Sequence, residues 1–106
     1  MPNYLIKANY GPEGVAGLSA SGGTARRDAI DEMIAGAGGK VEAFYFAFGE
    51  TDVYVICELP NDETVAALAL SINQSGATMI STVVLMTPEQ MDNAADMALE
   101  YRRPGS

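Results

Sequence analysis

The segments of this chain that resemble strands carry apolar side chains on both faces. Residues 53–59 place Val, Val, Cys and Leu on one face and Tyr, Ile and Glu on the other. Residues 40–48 and 77–86 repeat this two-sided pattern. In a sheet with one solvent-exposed face, apolar and polar residues alternate along each strand, and these segments do not show that alternation. Because soluble monomers rarely expose a large apolar patch, the fold has to cover both faces of its sheet.

Helical stretches separate the strands in the order β-α-β-β-α-β. The first helix is predicted to begin at Ser21 or Thr24 and to stop at Gly38. The second is capped by Asn61 and stops at Gly76. Two β-α-β halves predict an α+β, ferredoxin-like fold, with both helices on one face of an antiparallel sheet in the order 4-1-3-2. We expect its strands at residues 3–10, 40–48, 52–59 and 77–86.

The chain, residues 1–106, has the length of one domain. The sequence from Thr87 to Gln90 is typical of a capping box and predicts an extra C-terminal helix at about residues 88–102. The segment Gly11–Gly23 contains five glycines, so we expect a loop there, with a helical turn around Pro12–Leu18.

A second copy of the chain would cover the bare sheet face symmetrically, since two such sheets pack face to face in a twofold dimer. A standard interface buries roughly 800 Å² on each partner. The sequence therefore predicts a homodimer, or a higher oligomer built on it. The alternative is that the C-terminal helix folds back over its own sheet.

Composition excludes several classes of function. Six Lys and Arg against fourteen Asp and Glu leave a net charge of −8, which repels nucleic acid and anionic membranes. Histidine is absent and Cys57 is the single cysteine, so His-based catalysis, disulfides and thiolate metal sites are not expected. We predict no metal, no cofactor and a reduced, cytoplasmic setting. The uncharged stretch Thr64–Pro88 is not a membrane span, because its centre is Asn, Gln, Ser and Gly.

Polar side chains on the face away from the helices are the candidates for ligand binding. Lys7 and Glu58 lie on strands predicted to be neighbours and could pair across the ladder. Such a pair beside two tyrosines could bind a small polar ligand or transfer a proton, and it could equally be an interface contact that sets the register. The predicted ligand-binding residues on this face are Lys7, Asn9, Tyr45, Tyr54, Glu58 and Thr82.

Other residues have simpler structural explanations. Gly49 and Asp52 flank the predicted hairpin, where Gly provides a positive φ and Asp bonds the local backbone. Arg26 and Arg27 are expected to be exposed on a helix that carries no phosphate-binding motif. Cys57 alternates with buried valines and is expected to be an inert thiol.

The residues also resemble a known family, the GYD-domain proteins. The resemblance covers about residues 3–90, and its most specific part is the strand from Gly38 leading to a hairpin with Gly49 and Asp52. Thr51 stands where the family usually carries Tyr, so no role of that ring carries over. The resemblance implies a small bacterial protein of the dimeric α+β-barrel class and carries over no catalytic residue.

These observations predict a small-molecule-binding or accessory module with its pocket between the sheet and the dimer partner. One alternative is a cofactor-independent, monooxygenase-like enzyme that acts on an aromatic or polyketide-like substrate. A purely structural oligomer is the other.

Overall fold

The computed structural model describes residues 1–105, which form one four-stranded sheet and four helices. The strands are β1 (Asn3–Tyr10), β2 (Lys40–Phe46), β3 (Val53–Glu58) and β4 (Thr78–Leu85). The helices are α1 (Pro12–Ser21), α2 (Gly23–Gly36), α3 (Asp62–Gln74) and α4 (Pro88–Ala95).

The sheet has the order β2-β3-β1-β4, and each neighbouring pair is antiparallel. The predicted ferredoxin-like α+β fold and its strand order are therefore confirmed. On one side of the sheet, α2 packs against β2 and α3 packs against β4. We call this side the helix face and the other side the open face.

The core lies between the helix face and the two packed helices. Every second residue of β1 and β3 points into it, while α2 contributes Ile34 and α3 contributes Val65 and Leu68. This burial of about ten side chains is what holds the helices on the sheet. The buried residues are Tyr4, Ile6, Ala8, Ile34, Val53, Val55, Cys57, Leu59, Val65 and Leu68.

Local capping signals set the ends of several elements as predicted. The Asn61 side chain accepts a hydrogen bond from the Thr64 N–H at 2.9 Å. Thr87 and Gln90 form the complete capping box at the start of α4. Gly38 has φ of 87°, which ends the helix before β2. The next residue, Gly39, has no room for a Cβ, since that atom would overlap the Glu58 carbonyl oxygen.

The glycine-rich segment after β1 was expected to be a loop with a helical turn around Pro12–Leu18, and it is instead helical throughout Pro12–Ser21. Pro12 stands at the start of α1, where a helix tolerates its missing N–H. Gly14 is needed for close packing, because a Cβ there would overlap the Ala77 carbonyl oxygen and lie 2.9 Å from Cδ1 of Tyr10. The next helix, α2, is preceded by Gly22 at φ of 85°, and neither Ser21 nor Thr24 caps it.

The C-terminal helix is shorter than predicted and leaves the open face bare. It ends at Ala95 instead of about residue 102, and residues 88–105 are exposed. A short helix without tertiary packing gains little from further turns, which explains the early end. The described chain is elongated, at 57 × 33 × 23 Å, and Tyr45 on the open face is 70% exposed. The alternative in which this helix covers its own sheet is therefore wrong.

Within residues 1–105, the helices lack the combination of length and hydropathy that a membrane crossing requires.

Candidate functional site

Side chains on the open face form rows that run across all the strands. The central row is apolar: Ala43 pairs with Ile56, Ile56 with Leu5, and Leu5 with Val83. A β-bulge at residue 42 of β2 keeps Ala43 in this row. The open face therefore has an apolar centre, with polar side chains on either side of it.

The row toward the Tyr10 end of β1 brings together three of the predicted binding residues. Tyr45 lies opposite Tyr54, Tyr54 lies opposite Lys7, and Lys7 lies opposite Ser81. Tyr45 and Tyr54 are 70% and 38% exposed, whereas Lys7 is half-buried. Lys7 forms no ion pair with any other residue of the described chain. Two phenols and an ammonium group thus lie side by side next to the apolar row.

The predicted pairing of Lys7 with Glu58 is wrong. Glu58 lies opposite Asn3 on β1 and opposite Lys40 on β2, whereas Lys7 lies opposite Tyr54. Four positions of β1 separate the two, which is about 13 Å at the usual rise of a strand. Strand alternation placed both on one face correctly, but it does not determine the register. Direct proton transfer between the two within one copy is therefore excluded.

Thr82 lies on the helix face, not on the open face where it was expected. It pairs with buried Ile6 and borders a cleft formed with Tyr4, Val65 and Val84. Residues 78–85 carry similar mixtures of apolar and hydroxyl side chains on both faces, so their alternation does not tell which face is which. The register of β4 with β1 determines which face each side chain of β4 occupies.

Asp52 ties the hairpin to the end of β1, which is more than the local turn contact that was expected. Its carboxylate accepts a hydrogen bond from the Tyr10 N–H at 2.9 Å, and its own N–H donates to the Ala8 carbonyl at 3.0 Å and to Oδ1 of Asn9 at 3.1 Å. Asn9, a predicted ligand residue, therefore already has a structural hydrogen bond. Gly49 does not adopt the expected positive φ and is exposed at the hairpin. Thr51 is buried beside them, at 8% exposure.

Clefts on the other side of the molecule surround Tyr10. One, of about 440 Å³, lies between α1 and the β2–β3 hairpin; besides Tyr10 it is lined by Val15, Leu18, Phe46 and Phe48. A second, of about 370 Å³, lies between α1, α2 and the start of β4. Neither has Lys7, Tyr45, Tyr54 or Glu58 in its wall.

Arg26 belongs to the second cleft and is half-buried, so the expectation of an exposed side chain is wrong. Its guanidinium carbon lies 5.8 Å from the centroid of the Tyr10 ring, a distance at which a cation is attracted to an aromatic face. Arg27 is exposed as expected and pairs with Asp28 at 3.1 Å. The two neighbouring arginines thus have different surroundings.

Two buried groups have raised pKa values. The hydroxyl of Tyr4 donates to Oδ1 of Asp62 at 2.6 Å, and this bond, together with burial, raises the pKa of Tyr4 to about 12. Burial raises the pKa of the Cys57 thiol to about 11. Because the thiolate is the reactive form, Cys57 is the inert buried thiol that the sequence predicts.

Residues 1–105 contain no group of acidic or cysteine side chains arranged to hold a metal ion.

A protein-family model matches most of this chain. The model of the GYD domain covers residues 4–95, from β1 to the last residue of α4. Searches among curated proteins and among solved structures found no significant match. The matched part includes the sheet except for its first residue, the glycine stop before β2 and the hairpin with Asp52. The chain belongs to the GYD-domain family.

Proposed function

We propose that this protein is a homodimeric small-molecule-binding module, in which two copies pack their open faces together. The observation that carries this proposal is the bare open face, with its apolar row of Ala43, Ile56, Leu5 and Val83. Apolar surface of this kind is stabilised by removal from water, and no other part of the described chain provides that cover.

The size of the open face fits a stable dimer. Four strands about 4.8 Å apart, the longest of them eight residues at about 3.3 Å each, give a rectangle of at most roughly 19 × 26 Å. The flat area of this rectangle is about 500 Å². Because side chains project from the sheet, the solvent-accessible area of the face is larger and approaches the roughly 800 Å² that each partner buries in a standard interface.

Charge also favours contact through this face. Its strands present two lysines and two glutamates there (Lys7, Lys40, Glu42 and Glu58), so the face lacks the acidic surplus of a chain with a net charge of −8. Two copies repel each other at long range, but their contacting faces do not. Added salt screens this repulsion, so the dimer is expected to tighten with ionic strength.

The row of Tyr45, Tyr54 and Lys7 is the proposed binding wall at the edge of the interface. The side chain of half-buried Lys7 has three donors and no ion pair within residues 1–105, and the two phenols can donate or accept. A partner placed over the apolar row would close this wall into a pocket. The arrangement suits a small molecule with an oxygen acceptor and an apolar or aromatic surface.

Native mass spectrometry of the purified protein tests both parts of the proposal. We expect a dimer that retains a small molecule, and we expect Lys7→Met and Tyr54→Phe to lose the molecule while the dimer remains. Lys40→Met, at the other end of the same face, is the control and should keep the molecule. A monomer at micromolar concentration would contradict the dimer. A dimer without any bound molecule, even after incubation with a metabolite extract, would contradict the binding role.

A further inference from the structure

Arg26 lies partly inside the protein without a polar partner. Its Nε is buried and has no hydrogen-bond acceptor among residues 1–105, and its guanidinium faces the Tyr10 ring. Buried donors in folded proteins are almost always paired, and a cationic donor left unpaired is especially costly. The position of Arg26 therefore needs an explanation.

Residues 1–105 have ample carboxylates to pair this group, yet none of them does so. The chain contains fourteen Asp and Glu residues against six Lys and Arg. Glu13 lines the same cleft as Arg26, but the two form no ion pair, whereas neighbouring Arg27 pairs with both Asp28 and Asp31. Since residues 1–105 provide no acceptor for Arg26, a bound ligand is the candidate acceptor.

The cleft beside Arg26 has room for such an acceptor. Its volume of about 370 Å³ lies within the range of small-molecule sites, which is about 300–1,000 Å³. Small residues on α1 and α2 keep it open, and Tyr10 forms an aromatic wall. Its lining includes Tyr10, Glu13, Gly14, Gly17, Ala25 and Arg26.

We propose that this cleft binds a small organic monocarboxylate, with the Arg26 guanidinium as the donor to its carboxylate and Tyr10 against its apolar body. The two terminal nitrogens of the Arg26 guanidinium form a fork that matches the two oxygens of a carboxylate. A dianion such as phosphate is disfavoured, since the protein has a net charge of −8 and Glu13 stands in the same wall. The site lies on the helix side of the sheet and does not depend on the dimer.

The test titrates the full-length protein with benzoate and follows backbone amide shifts by NMR. Benzamide, which has the same shape without the charge, and inorganic phosphate are titrated in parallel. We expect benzoate to shift amides of α1 and α2 and to bind at least tenfold more tightly than benzamide or phosphate. Benzamide or phosphate binding as tightly as benzoate would overturn the proposal, and so would the absence of benzoate binding at millimolar concentration.

Variants of the adjacent arginines provide the matched control. Arg26→Met should weaken benzoate binding at least tenfold, and Arg26→Lys should restore only part of it because an ammonium lacks the fork. Arg27→Met changes an exposed arginine one residue away and should leave the affinity within twofold. Equal effects of the two methionine variants would overturn the proposal. If Arg26→Met does not fold, the comparison of benzoate with benzamide on the unmodified protein still decides it.

Discussion

Val83 and Val84 are neighbours on β4 that face opposite sides of the sheet, and they offer a matched test of the proposed dimer. Val83 is in the apolar row of the open face and is 41% exposed, while Val84 pairs with Tyr4 on the helix face and is 61% exposed. Replacing either by Ala removes the same two methyl groups from the same strand. Only Val83→Ala removes surface that a second copy would cover.

The expected effect of Val83→Ala follows from its exposure. Two carbons at about 0.8 kcal/mol each give about 1.6 kcal/mol for complete burial. The 41% that a partner would newly cover corresponds to about 0.65 kcal/mol per copy. A twofold dimer contains the site twice, so the loss is about 1.3 kcal/mol, which is close to a tenfold increase in the dissociation constant of the dimer.

Sedimentation velocity over a concentration series measures these dissociation constants. We expect about a tenfold increase for Val83→Ala and less than a twofold change for Val84→Ala. Val83→Glu, which places a carboxylate in the apolar row of both copies, should weaken the dimer more than a hundredfold. Equal dissociation constants for Val83→Ala and Val84→Ala would refute the reasoning.

Three further expectations concern the fold. Gly14→Ala should lower the melting temperature, since its Cβ has no room, whereas Gly17→Ala in the same helix has open space and should raise it slightly; the reverse order would contradict the packing of α1. The pKa of Tyr4 is raised to about 12, so its contribution to stability is complete below pH 10 and is lost as the pH rises toward 12. Unfolding in urea should therefore show a shallower alkaline loss for Tyr4→Phe than for the parent, and equal slopes would exclude the bond to Asp62. With the pKa of its buried thiol at about 11, Cys57 should react with a thiol reagent at pH 8 only after addition of denaturant, and rapid reaction of the folded protein would contradict its burial.

The sequence alone predicts those parts of the fold that depend on contacts between residues close together in the chain. Asn61 and the pair Thr87 and Gln90 cap helices through bonds to residues three positions away, so the residue types alone predict where those helices begin. Period-two alternation likewise assigned Tyr45 and Tyr54 to the face opposite the core. The strand order followed from the right-handed crossovers of two β-α-β halves.

The errors arise where the decisive contact is distant in the chain. Lys7 and Glu58 share a face, but only the ladder shows that their positions differ by four residues. The glycine-rich sequence predicts a flexible position at Gly14, although its lack of a side chain serves contact with Ala77, which is 63 positions later.

The burial of Arg26 was missed for the same reason. Its environment depends on α1 lying beside it, and only a loop with one helical turn was expected there. The sequence nevertheless contained a signal for the helix α1. Pro12 is favourable at a helix start, and the nine residues after it contain no further proline that would break the helix.

Hydroxyl-radical footprinting of tyrosines measures directly which surface the second copy covers. Tyr45 on the open face and Tyr101 in the C-terminal tail are 70% and 79% exposed in the single chain, so they should be oxidised at similar rates at high dilution. As the protein concentration passes the dissociation constant, we expect oxidation of Tyr45 to slow severalfold while that of Tyr101 stays unchanged. Equal oxidation of the two at every concentration would contradict the central claim that the open face is the dimer interface.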